Sequence, residues 1–93
     1  MFIEKIKQLR EEHQLPLRKL AAALDIDSAT YWKMERGDRR TKREHIPIIA
    51  ELLQIDENEL LSLWLADQVT AIVAEEKELA PKVMKLAQKK INE

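Results

Sequence analysis

The sequence predicts an all-helical protein, and three observations lead to this fold class. Apolar residues recur at intervals of three and four along most of the chain, which is the period of a helix with one buried face. Proline and glycine are scarce, with three and one among 93 residues, and they mark the boundaries of a run of short helices. No stretch shows the regular alternation of apolar and polar residues that is typical of a half-buried strand.

The composition indicates one small folded domain. Apolar residues make up 45% of the chain and charged residues 35%, which suits a soluble helical protein better than a disordered one. The core of so short a chain is thin, so association between copies would add stability. Cysteine is absent, which excludes disulfides and thiolate metal sites. Charges interrupt the N-terminal segment, so it predicts neither a signal peptide nor a membrane span, and we expect a cytoplasmic protein without membrane partners.

A formal net charge of −1 hides an uneven distribution. Residues 1–45 hold eleven Lys/Arg and eight Asp/Glu, whereas residues 46–93 hold five and nine. Residues 33–43 alone hold six basic residues and two acidic ones. Because charges further than about 8–10 Å apart are screened at physiological salt, phosphate binding depends on this local excess and not on the total. A weakly acidic protein can therefore still bind DNA through its basic front half.

The first two helices are predicted from periodicity and one proline. The first has apolar residues at helical spacing and should end before Pro16, since the residue preceding proline disfavours helical geometry. Its apolar positions are Phe2, Ile3, Ile6 and Leu9. The second covers Leu17–Leu24, and a short polar turn follows it. Asp27 or Ser28 can cap the next helix by accepting hydrogen bonds from its free N–H groups.

A third helix is predicted from Ser28 to about Arg36. At about 100° per residue, one face holds Thr30, Tyr31 and Met34. The opposite face holds Ala29, Trp32, Lys33 and Arg36. Gly37 fits the end of this helix, where a left-handed backbone is needed. A basic loop, residues 38–43, comes next.

Three further helices complete the expected architecture. Pro47 suits the first turn of the fourth. Asp56 and Glu59 form a capping-box-like start for a long fifth helix, expected to reach about Glu76, and Pro81 opens the last. The fifth helix has two apolar faces, which predicts more than one neighbour. One face consists of Leu60, Leu63, Trp64 and Ala71, and the other of Leu61, Leu65, Val69 and Ile72.

Two helices joined by a three-residue turn and followed by a basic loop form the helix-turn-helix plan. "LRKLAAALDID", "SATYWKMERGDRR" and "IPIIAELLQID" resemble the first helix and turn, the recognition helix and the following helix of the lambda-repressor-like (XRE-type) helix-turn-helix family. The resemblance implies a five-helix DNA-binding domain over residues 1–60, with residues 61–93 as a helical extension for dimerisation. Asp25 stands where the family usually has glycine, and Leu17 where it often has a phosphate-binding glutamine.

The resemblance also implies roles for individual residues. In the major groove of double-stranded DNA, the base edges would meet Ser28, Ala29, Trp32 and Lys33. Phosphates would be bound by Arg18, Arg36, Arg39, Arg40, Lys42 and Arg43. Other interpretations stay open: Trp32 could be a core residue or a protein contact, and the basic loop could be only solvated surface. We expect Glu35 to tie the recognition helix to the loop or to the second helix.

No catalytic site, metal site or cofactor site is predicted. The serine and threonine hydroxyls lack a visible base, and the two histidines lack further ligands at metal-binding spacing. An enzyme is therefore not expected, and cofactors are expected to be none.

The predicted function is a homodimeric transcriptional regulator that binds a palindromic operator and regulates its own operon, because two half-sites extend the few base pairs that one helix can read. The dimer would form through Leu61, Leu65, Val69 and Ile72, together with the tail, although both could instead pack only within one chain. A phage-type repressor or a restriction-modification controller is favoured. The alternatives are an antitoxin, or a helical interaction module without DNA binding; a protein partner such as a toxin or polymerase stays open.

Overall fold

The computed structural model describes residues 1–93 and contains six α-helices and no strand, which confirms the predicted all-α helix-turn-helix fold. A single 3₁₀ turn, Arg43–His45, precedes the fourth helix. The helices are α1 (Phe2–Glu12), α2 (Leu17–Ala23), α3 (Ser28–Glu35), α4 (Ile46–Leu53), α5 (Glu57–Ile72) and α6 (Ala80–Ile91).

Short-range chemistry sets most of these boundaries. The side chain of Asp27 accepts a hydrogen bond from the Thr30 N–H at 2.7 Å, and Asp56 caps α5 in the same way through the Glu59 N–H at 3.0 Å. Both carboxylates satisfy N–H groups that have no partner inside the helix. A proline lies in the first turn of α4 and of α6, as predicted.

The fifth helix is shorter than predicted. It ends at Ile72 and not near Glu76, and hydrogen-bonded turns occupy residues 73–79. Continuing the helix would place Glu75 and Glu76 in its last turn, where the negative end of the helix dipole disfavours acidic side chains. The predicted boundary at residue 60, between the DNA-binding domain and the helical extension, falls inside α5 and stays a prediction.

One hydrophobic core joins α1 to α5. α2 packs on α3, α4 packs on α5, and α1 contacts α3, α4 and α5. Ala21 of α2 is buried in this core. The buried apolar residues are Phe2, Ile6, Leu20, Ala21, Leu24, Tyr31, Met34, Ile46, Ile49, Ala50, Leu53 and Leu60.

The last helix contributes nothing to this core. No residue of α6 is buried, and the well-packed helix pairs all lie among α1 to α5. The molecule measures 42 × 25 × 22 Å, so it is elongated along one axis. The core therefore positions α2 and α3 without help from α6.

Candidate nucleic-acid interface

The turn between α2 and α3 adopts the geometry that a helix-turn-helix needs. Asp25 has a φ of 56°, so this aspartate takes the left-handed conformation without a glycine. The Ile26 N–H donates to the carbonyl of Ala21 at 3.0 Å, and the Asp25 N–H donates to that of Ala22 at 3.1 Å. These two bonds close the end of α2 and turn the chain into α3.

The orientation of α3 follows from the two large side chains on its inner face. Tyr31 and Met34 are 0% and 1% exposed, respectively. Trp32 is 47% exposed, which excludes the alternative in which it is a core residue. Ser28, Ala29 and Lys33 are also exposed. The four residues predicted to meet base edges therefore lie on the solvent-facing part of one short helix.

Gly37 ends the recognition helix with a backbone conformation that other residues rarely adopt. Its φ is +82°, and its N–H donates to the Met34 carbonyl at 3.1 Å while the Asp38 N–H donates to the Lys33 carbonyl at 2.9 Å. This pair of bonds is the Schellman arrangement. It redirects the chain immediately after α3, so the basic loop begins beside the recognition helix.

A stacked group extends the outer face of α3. The guanidinium of Arg36 lies over the Trp32 ring, 4.3 Å from its centroid, and pairs with the Asp38 carboxylate at 2.8 Å. Guanidinium over indole is a favourable cation–π geometry. The stack restrains the Arg36 and Trp32 side chains. A phosphate that approaches Arg36 would have to compete with the Asp38 carboxylate for its guanidinium.

The basic loop is attached to α5 through contacts that the sequence did not reveal. The Trp64 indole N–H donates to the Thr41 carbonyl at 2.9 Å, and Thr41 is buried. Arg40 donates to the side-chain oxygen of Gln68 at 2.8 Å and lies 5.6 Å from the centroid of the Trp64 ring. Arg40 therefore points toward α5, and a phosphate would have to compete with Gln68 for it.

The remaining basic residues predicted to bind phosphates are exposed and make no ion pair in the chain. They are Arg18, Arg39, Lys42 and Arg43. His13 is exposed, and its Nε2 lies 2.9 Å from the Leu53 carbonyl oxygen. No group of three or more His, Cys, Asp or Glu side chains is arranged to hold a metal ion.

Glu35 contacts a different element from the one predicted. Its carboxylate pairs with Arg10 of α1 at 2.9 Å, and not with the loop or α2. The hydrogen bonds that Arg10 donates to the Glu35 carboxylate raise the pKa of Arg10. Burial, followed by the negative charge of Glu35, raises the pKa of Tyr31, whose hydroxyl oxygen is buried without a hydrogen-bond partner. The sequence prediction failed because Arg10 is 25 residues away and only the packing of α1 on α3 brings it close.

Comparison with known families identifies the class of protein that this geometry defines. A family model described as a helix-turn-helix domain matches residues 4–63, and the chain belongs to that family. Searches of curated proteins and of solved structures found no significant match. The family and the exposed recognition helix indicate a DNA-binding regulator. None of the helices is both long and apolar enough to span a membrane.

Proposed function

We propose that this protein is a sequence-specific transcriptional regulator that reads double-stranded DNA by inserting α3 into the major groove. The exposed outer face of α3 is the observation that supports this most directly. Because Tyr31 and Met34 fill the core, Ala29, Trp32 and Lys33 are left facing solvent. A short helix that presents one large aromatic, one lysine and one small residue matches the size and chemistry of the groove.

Each outward residue has a specific role in this proposal. Lys33 donates to guanine O6 or N7, Ser28 donates or accepts, and Ala29 and Trp32 contact thymine methyl groups. Phosphates on either side are bound by Arg18, Arg36, Arg39, Lys42 and Arg43, and by Arg40 once it leaves Gln68. These contacts give affinity and register, since phosphates are the same at every base pair.

The regulator is proposed to act as a homodimer on a palindromic operator within its own operon, as a phage-type repressor or a restriction-modification controller does. Exposed apolar residues on α5 support a dimer: Leu65, Val69 and Ile72 are 40%, 42% and 80% exposed. Leu61 continues the same stripe and is partly buried against its own core. We call Leu61, Leu65, Val69 and Ile72 the α5 stripe.

A gel-shift series tests DNA binding directly. Wild-type protein, Lys33→Ala/Arg43→Ala and a matched control, Lys7→Ala/Lys19→Ala, are titrated against fragments of the source genome that include the protein's own upstream region. All four changed residues are exposed, and the control keeps the number of lost charges equal. We expect tight, selective, salt-weakened binding by wild type and the control, with binding lost in the test variant.

The alternative interaction module predicts a different result. If wild type binds no fragment selectively at any salt concentration, the DNA-binding proposal is wrong. If the control loses as much affinity as the test variant, then general basicity accounts for the binding, and α3 is not the reading element.

A further inference from the structure

The last helix is amphipathic yet has no partner in its own chain. Every residue from Pro81 to Ile91 is exposed. Its apolar side chains include Leu86 and Ile91, which are 58% and 81% exposed. Isolated helices of this length are marginal in water, because propagation barely offsets the cost of nucleation. Covering the apolar face is therefore what would stabilise α6.

The charges of the chain indicate what kind of surface would cover the apolar face of α6. Residues 46–72, which span α4 and α5, contain five acidic residues and no basic one, whereas α6 contains four lysines and no acidic residue. Lys82, Lys85 and Lys89 form no ion pair in the chain, and neither do Glu51 and Glu57. The basic helix is thus complementary to the surface of α4 and α5.

The apolar faces of α6 and α5 are also complementary. Leu79, the residue before α6, is followed at spacings of four and three by Val83 and Leu86 of the helix, so the three lie on one side. Lys82 and Lys89 border that side, four residues before and three after Leu86. On α5, Glu57 borders the α5 stripe one turn before Leu61. Each helix therefore presents an apolar strip with charged side chains of opposite sign along an edge.

Within one chain, α6 does not cover the α5 stripe. Residues 73–79 form successive hydrogen-bonded turns, including Ala80 N–H to the Glu76 carbonyl at 2.8 Å, and α6 leaves from them without packing on α5. We propose that α6 is an exchanged arm: in the dimer, the arm of each copy lies on the α5 stripe of the other. This inference rests on the proposed dimer and specifies which elements form it. Exchange of one element is a low-cost route to a two-fold dimer.

Complementation between two defective full-length variants tests the exchange. Leu86→Asp damages only the arm, and Leu65→Asp damages only the stripe; Gln88→Asp is the matched control on the polar side of α6. Dimer dissociation constants are measured by sedimentation, separately and after mixing differently tagged chains. We expect each of the two test variants to dimerise at least tenfold more weakly than wild type, and Gln88→Asp to behave as wild type.

The mixture is the decisive sample. In an exchanged dimer of the two variants, the intact arm of Leu65→Asp lies on the intact stripe of Leu86→Asp. The mixed dimer should therefore form at least tenfold more tightly than either variant alone. If α6 folded onto its own α5, no mixed pair would regain a complete contact, and an absence of rescue overturns the exchange.

Two other outcomes separate this inference from the proposed function. If wild type dimerises and Leu86→Asp dimerises equally well, the arm plays no part and only the exchange is wrong. If wild type stays monomeric at tens of micromolar, the proposed dimer fails and the exchange fails with it. The gel-shift series tests DNA binding separately from either result, since a monomer keeps its recognition helix and would bind one half-site more weakly than a dimer binds two.

Discussion

The guanidinium of Arg10 in α1 donates two hydrogen bonds to the carboxylate of Glu35 at the end of α3, with N–O distances of 2.9 and 3.2 Å. The side chains are 15% and 5% exposed, and Arg10 also donates to the Leu15 carbonyl at 2.9 Å. This pair fixes the recognition helix to the first helix and to the segment leading into α2. The orientation of α3 on the domain therefore depends on a charge contact that lies away from the proposed DNA surface.

Removing one member of this pair should destabilise the domain strongly. Arg10→Ala leaves the Glu35 carboxylate buried without a partner, and losses of about 3–5 kcal/mol are typical of such a change. The free energy of unfolding, measured by urea titration, checks this. Arg10→Met/Glu35→Leu removes both charges and should lose much less; equal losses for the single and double changes would contradict the expected coupling.

Gly37→Ala should lower stability without changing a DNA contact. An added Cβ would lie 3.1 Å from the Ile3 Cδ1, and the φ of +82° disfavours any side chain. A loss of about 1–3 kcal/mol is expected from the backbone strain. Thermal unfolding followed by circular dichroism measures the loss. An unchanged melting temperature would mean that the end of α3 does not need the left-handed conformation.

Trp64→Phe should weaken the attachment of the basic loop to α5. Phenylalanine keeps most of the packing but cannot donate to the Thr41 carbonyl, and an unpaired buried acceptor costs about 1–3 kcal/mol. We expect faster amide hydrogen exchange within residues 38–42 and lower stability. Trp32→Phe is the control, because the Trp32 indole N–H makes no hydrogen bond in the chain. Similar exchange rates in both variants would argue against the anchoring role of Trp64.

Lys33 and Arg43 should differ in the kind of binding energy they supply. Lys33→Ala is expected to relax selectivity at one base pair, by about 1–3 kcal/mol. Arg43→Ala should weaken binding to all sequences alike and reduce the slope of log K against log salt by about 0.9. Binding to a set of single-base operator variants at several salt concentrations separates the two. The reverse pattern would exchange the proposed roles.

The Asp27 cap predicts a loss of stability on the acid side. The hydrogen bond from the Thr30 N–H lowers the pKa of this carboxyl. A group whose pKa is lower in the folded state adds stability above its unfolded pKa, about 3.9, and loses it as the pH falls through the lower folded value. Asp27→Asn keeps a capping oxygen but does not titrate. Its melting temperature should therefore fall less than that of wild type below pH 4, and parallel curves would contradict this.

Local sequence information predicted the helices and the outward face of α3. Capping by Asp27, the left-handed Gly37 and the inward pair Tyr31 and Met34 depend on residues within a few positions of one another. Such signals are visible in a sequence because the residues concerned lie only a few positions apart, and helix geometry fixes which of them share a face. The same reasoning gave the α5 stripe as an apolar face.

The sequence by itself thus determined the fold class, the order of the helices and the side of α3 that faces solvent. Only the tertiary structure decided that Glu35 pairs with Arg10, that Trp64 holds the loop at Thr41, and that Arg40 points to Gln68. These partners are 25, 23 and 28 residues apart. Their pairing depends on how whole helices pack, because a side chain's local pattern sets the direction it points but not which distant residue it meets.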